Sequence, residues 1–132
     1  VNYNWKKASA WCRKSEKNWV KVCFQSMGRD ASGYTRLDPP AIIKICGNAK
    51  DMAGECIYAA GKDMAYTDVS ARRAKVLCNT APASARAYCW HGIGEILGSL
   101  NREVEKRKAS CDEATASKPR YLKDCYAGAA VT

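Results

Sequence analysis

Between residues 89 and 100 the apolar side chains fall at Cys89, Ile93, Ile96, Leu97 and Leu100, the spacing of one face of an α-helix. Ala53, Cys56, Ala60 and Met64 keep the same rhythm earlier in the chain. Each such segment is predicted to be a helix, termed helix A. Serines stand where it should begin: Ser15 ahead of Glu16, Ser84 behind Pro82, and Ser117 ahead of Pro119. A second kind of segment, helix B, follows Asp38 (before Pro39 and Pro40), Asp68 and Asn101, all good N-cap types. These caps precede Cys46, Cys78 and Cys111 by 8, 10 and 10 residues, room for two to three turns. The intervening segments are Ala41 to Ile45, Val69 to Leu77, and the charged Arg102 to Ser110.

The two patterns alternate with a fixed period. Cys23, Cys56 and Cys89 are 33 residues apart and Cys125 follows 36 later, while Cys12, Cys46, Cys78 and Cys111 step by 34, 32 and 33. A period of this size marks a stacked-repeat architecture. After the first cysteine series come Phe24, Ile57, Trp90 and Tyr126, all large. Two positions on, the side chain is always small: Ser26, Ala59, Gly92, Gly128. Glycine then recurs at Gly28, Gly61 and Gly94, with Ala130 in the fourth unit. A glycine in a helix costs about 1 kcal/mol relative to alanine, so its repetition predicts close approach of a neighbouring helix. The expected fold is all-α: disulfide-stapled helical-hairpin repeats forming a short α-solenoid or bundle. The divisions expected are a half repeat 1–14, repeats 15–48, 49–82 and 83–116, and a half repeat 117–132. Residues 5–12 read as a helix B without its helix A, and 118–132 as a helix A without its helix B. Neither end carries a polar cap, which predicts that the chain is a fragment or that a partner covers its ends.

Eight cysteines in regular pairs point to an oxidising compartment, a secreted or bacterial periplasmic setting. The chain begins at Val1, as a processed form would, and has no Asn-x-Ser/Thr sequon. Pairing each helix B cysteine with the next helix A cysteine gives Cys12–Cys23, Cys46–Cys56, Cys78–Cys89 and Cys111–Cys125. Pairing within each A–B hairpin gives 23–46, 56–78 and 89–111 and strands Cys12 and Cys125. Both are geometrically open; the first is preferred because it satisfies the whole set. Zinc sites want CxxC or CxxxC clusters, which the chain lacks. No apolar run approaches the roughly 20 residues of a membrane helix.

The pairs Cys46/Cys56 and Cys78/Cys89, each followed by small residues and glycine, resemble the layout of cysteine-rich Sel1-like repeat proteins, a branch of the tetratricopeptide-type solenoids. That family's Leu-Gly and Gly-x-Gly turn signature is absent between Gly61 and Asp68 and between Gly94 and Asn101. The resemblance implies a protein-binding role and brings no catalytic residues with it.

His91, the only histidine, lies four residues before Glu95, so the two share a helix side. A general base held by a carboxylate is the catalytic reading, which would make the chain a small hydrolase-like enzyme. The plainer reading is a polar residue in a slot held elsewhere by Gln25, Tyr58 and Ala127, which share no chemistry. No phosphate loop, nucleophile elbow or paired-carboxylate motif is present, and no cofactor or metal is implied. Met27, Met52 and Met64 read as core.

Charge changes the picture more. Lysine and arginine number 22 against 13 acids, a net charge of +9. Lys6, Lys7, Arg13, Lys14, Lys17 and Lys21 crowd the start. A basic stripe is expected on helix B surfaces from Arg72, Arg73, Lys75, Arg102 and Lys106. Such a stripe steers acidic partners. The expected function is therefore a non-enzymatic binding or scaffold module, a subunit or assembly factor in a larger extracytoplasmic complex. Trp5, Trp11 and Trp19 among the lysines also admit a saposin-like protein on an anionic membrane surface, although they read more simply as the apolar face of the first helices. Nucleic acid is disfavoured, since an exported disulfide protein seldom meets it.

Overall fold

The computed structural model describes residues 4–131; residues 1–3 and Thr132, at the tips of the two half repeats, lie outside the described residues. Among the described residues eight α-helices follow in order: α1 (Trp5–Arg13), α2 (Lys17–Tyr34), α3 (Pro39–Cys46), α4 (Ala53–Thr67), α5 (Arg72–Thr80), α6 (Ala83–Ser99), α7 (Val104–Ala114) and α8 (Leu122–Gly128). Short 3-10 turns over Gly47–Met52 and Pro119–Tyr121 lead into α4 and α8. The fold is all-α. The even-numbered helices form a row in which α2 packs on α4, α4 on α6, and α6 on α8. The odd-numbered helices lie along this row: α1 against α2, α3 against α5, α5 between α4 and α6, and α7 against α6 and α8.

The row is held by the residues the repeat singles out. Phe24, Ile57 and Trp90 are buried, and Tyr121 ahead of α8 stacks on Trp90 with ring centroids 6.3 Å apart. A Cβ on Gly28 would collide with the carbonyl oxygen of Cys56, and one on Gly94 with that of Cys125. Gly61 faces the Cys89 sulfur, which a Cβ would meet at 3.0 Å. The expected close approach is thus present at all three joints, and close backbone packing offsets the helix penalty of glycine. At α8 the pattern changes: the helix ends at Gly128, and Ala130, in the glycine's slot, is left-handed at φ 58°.

Four disulfides join each odd-numbered helix to the start of the next even-numbered one: Cys12–Cys23, Cys46–Cys56, Cys78–Cys89 and Cys111–Cys125. They close loops spanning 10 to 14 residues, each contributing about 2–3 kcal/mol in the chain-entropy account. Among the described residues every cysteine is bonded.

The helix starts differ from expectation. Asp38 does precede α3, but its carboxylate makes no cap bond; the two prolines, with φ already helical, set that start. Asp68 instead accepts from the backbone N–H and hydroxyl of Ser70, and α5 begins four residues later behind a left-handed Ala71. Asn101 turns back to donate to the Leu97 carbonyl at 3.2 Å, and α7 begins only after Glu103. Ser84 lies inside α6, behind Pro82. Met27 and Met64 are core and Met52 packs against it, while Leu100 is exposed.

Candidate functional site

Turns of α2, α4, α6 and α8 near the disulfides leave one side of the row open, and polar side chains bridge each joint there. Gln25 on α2 donates to Glu55 on α4 at 2.9 Å, with Lys21 4.0 Å from the same carboxylate. Tyr58 on α4 donates to Glu95 on α6 at 2.6 Å, and Lys62 pairs with Glu95 at 2.8 Å. At the last joint His91 on α6 and Asp124 on α8 line the same cavity. The first two joints share one polarity: the earlier helix presents donors and the later helix a carboxylate.

The expected His91–Glu95 pair is formed, with Nε2 3.2 Å from Oε1. That carboxylate is not reserved for the imidazole. It is a hub that also takes Tyr58 and Lys62, so it ties α4 to α6. Burial pushes the Glu95 carboxyl up, but the hydrogen bonds from Lys62 and Tyr58 and the charges of Lys62 and His91 outweigh burial and hold it below its ordinary value. Burial and the bond to Glu95 push the Tyr58 phenol well above its own. Asp124 is raised by burial, with Lys123 and His91 opposing. Around these groups lies a shallow cavity of about 380 Å³, walled by Tyr58, Tyr88, His91, Glu95 and Asp124 and reaching Glu55. A second, of about 310 Å³, runs between Val22, Arg29, Tyr58 and Tyr66. Among the described residues no group of three histidine, cysteine or acidic side chains gathers to hold a metal.

The basic residues of the expected stripe fall in two separate places: Arg72, Arg73 and Lys75 on α5, Lys106 on α7 and Arg102 in the turn before it. Arg72, Arg73, Arg102 and Lys106 are exposed and Lys75 is half-buried. The hydrogen bonds from Ser70 hold the Asp68 carboxyl below its ordinary value, with the charges of Arg72 and Arg73 adding to them. Arg73 donates to the Arg36 carbonyl at 3.3 Å, and Lys106 lies 3.8 Å from Glu103. Arg107 is structural: its guanidinium donates to the carbonyls of Asn101 and Arg102.

The tryptophans depart from expectation in a telling way. Trp5 packs against the core, but Trp11 and Trp19 do not. Trp11 is 71% exposed, whereas Ile45 and Leu77, in the same slot of the next two units, are 8% and 0% exposed. Trp19 is 60% exposed, whereas Tyr121 and Ala85 in its slot are 9% and 1%. Cys23 is half-buried, while Cys56, Cys89 and Cys125 are fully buried. Among the described residues no even-numbered helix packs on the outer side of α2, and these positions are more open there than their equivalents. Sequence reading expected an uncapped end but missed the exposure of Trp11 and Trp19, as well as the roles of Tyr58, Lys62 and Asp124. The repeat alignment held the signal, since Trp19 and Tyr121 share one column.

No described helix is long and apolar enough to cross a membrane, and four disulfides suit an oxidising, extracellular-type compartment. No protein-family model, curated protein or solved structure matches this chain.

Proposed function

We propose that the chain is a non-enzymatic protein-binding or scaffold module, a subunit or assembly factor of a secreted or periplasmic complex, which docks an acidic partner on its first face. One observation carries the reading: Trp11 and Trp19 stand exposed where Ile45 and Leu77, and Ala85 and Tyr121, are buried in other units. Large aromatic anchors contribute most to interfaces, and surrounding lysines mainly speed encounter with an acidic partner. Lys14, Lys17 and Lys21 flank the anchors and are exposed. The likeness in layout to Sel1-like repeats implies the same role. Against catalysis, Glu95 is already engaged in holding two helices together.

Quantitative affinity purification from the native source tests this, with wild-type, Trp19→Glu and His91→Ala chains as baits. The partner should come down with the wild type and with His91→Ala, and be depleted about tenfold or more with Trp19→Glu. Equal recovery with Trp19→Glu would remove the first face as the binding site. A turnover abolished by His91→Ala and untouched by Trp19→Glu would replace the module with an enzyme built on His91 and Glu95.

A further inference from the structure

Two neighbouring joints of the even-numbered row close differently. Between α4 and α6, Tyr58 and Lys62 meet on the carboxylate of Glu95. Gly92 fits there against the Tyr58 carbonyl, where a Cβ would lie 2.7 Å from the oxygen. The residues 33 positions earlier, between α2 and α4, are Gln25, Arg29, Lys62 and Ala59. A lysine thus stands where the other joint has its carboxylate. Gln25 turns instead to Glu55, and Lys62 is drawn to Glu95 on α6. Arg29 lines the cavity of about 310 Å³ that opens at this joint, and so does Asp63, the residue after Lys62. Among the described residues neither of these two charged side chains takes part in an ion pair or a hydrogen bond. Much of the remaining wall is apolar: Val22 on α2, Ala59 on α4 and Ile96 on α6, with the ring of Tyr66 beside them.

We propose that this cavity binds a free α-amino acid with a large apolar side chain, about the size of phenylalanine. A guanidinium and a carboxylate on facing helices, neither paired, match the two charges of one zwitterion. Arg29 holds the ligand's carboxylate through the forked pairing that a guanidinium makes with such a group. Asp63 accepts from its ammonium. The ligand's side chain lies on Val22, Ala59 and Ile96, and the small side chain of Ala59 is what leaves it room. The volume is that of a small-molecule site rather than a protein interface. A simple anion would set its charge against Asp63, and a simple cation would set its charge against Arg29 and Lys62; a zwitterion satisfies both ends. The site belongs to the joint between α2 and α4 and does not rest on docking at the first face.

Isothermal titration calorimetry of the full disulfide-bonded chain with L-phenylalanine tests this, with 3-phenylpropionate (no ammonium) and phenethylamine (no carboxylate) as comparison probes. L-phenylalanine should bind saturably at one site per chain. Each comparison probe should bind about tenfold or more weakly, having lost one charge-assisted contact. Arg29→Gln should weaken L-phenylalanine about tenfold without weakening phenethylamine, and Asp63→Asn should weaken it without weakening 3-phenylpropionate. These crossed responses separate a contact with the ligand from damage to the fold, and both variants should keep the wild-type circular dichroism spectrum. Ala59→Phe, which fills the cavity, should abolish binding. No saturable binding of L-phenylalanine up to about 10 mM overturns the proposal. So does 3-phenylpropionate binding as tightly as L-phenylalanine, which would make the cavity a site for amphipathic anions. Affinity indifferent to both Arg29→Gln and Asp63→Asn overturns it as well.

Discussion

Glu95 carries more of the fold than its position on an open surface suggests, because one carboxylate serves Tyr58, Lys62 and His91 on two helices. Glu95→Gln keeps the shape and removes the charge. It should cost about 1–2 kcal/mol at pH 7, the value of hydrogen bonds to a charged group partly discounted for solvent. The pH dependence has a definite sign. The carboxyl titrates lower in the folded than in the unfolded chain, so its stabilisation is present above the ordinary value of 4.5 and is lost as pH falls through the folded value. In urea melts the gap between wild type and Glu95→Gln should therefore close as pH falls below 4.5; a gap unchanged at pH 3 would contradict the hub. Asp124 runs the other way. Burial raises its carboxyl, so its ionised form disfavours folding at pH 7, and Asp124→Asn should be neutral or stabilising there and lose that advantage in acid. Of this cluster the sequence revealed the His91–Glu95 pair, because i and i+4 meet within one helix. Tyr58, Lys62 and Asp124 reach it from other units, and their register depends on how the helices stack.

At the scale of the element, two helical glycines separate the opposing effects. Gly33, in the last turn of α2, has open space where a Cβ would go, and Gly33→Ala should stabilise by about 0.5–1 kcal/mol. Gly94 lies against the Cys125 backbone, so Gly94→Ala must push α8 away and should destabilise by about 1–3 kcal/mol. Thermal melts of the two variants should move in opposite directions; parallel shifts would contradict the close joint. The disulfides should also differ by access. Cys23 is half-buried while the even-helix cysteines of the other three pairs are fully buried, so under graded reductant and alkylation Cys12–Cys23 should open first. Early opening of Cys78–Cys89 would place the exposed end elsewhere. The helices, the joints and the preferred staples were legible because cysteine and glycine recur at fixed offsets. The helix starts were not. Arg36, Leu37 and Ala71 take positive φ at the turns, where a sequence without glycine gives no sign of it. The cap-type residues Asp68 and Asn101 are drawn into turn and helix-end bonds.

For the molecule as a whole, the repeat makes each unit a control for the others. A core slot left open in one unit is visible only by comparison with its equivalents, and that comparison singles out Trp11 and Trp19. The basic charge belongs at this scale too. Arg72, Arg73 and Lys75 should set the rate of encounter more than the lifetime of a complex. Reversing them to glutamate should slow association and flatten its salt dependence while leaving dissociation nearly unchanged, as surface plasmon resonance with the native partner would read. An equal loss in dissociation rate would make α5 part of the contact. The most direct test of where the partner sits is hydrogen–deuterium exchange on the complex purified from the native source, compared with the free chain. Protection should concentrate on α1 and α2, around Trp11 and Trp19, with α5 and α7 exchanging as before. Protection confined to α5 and α7, or to the His91 cavity with α2 unchanged, would contradict docking on the first face.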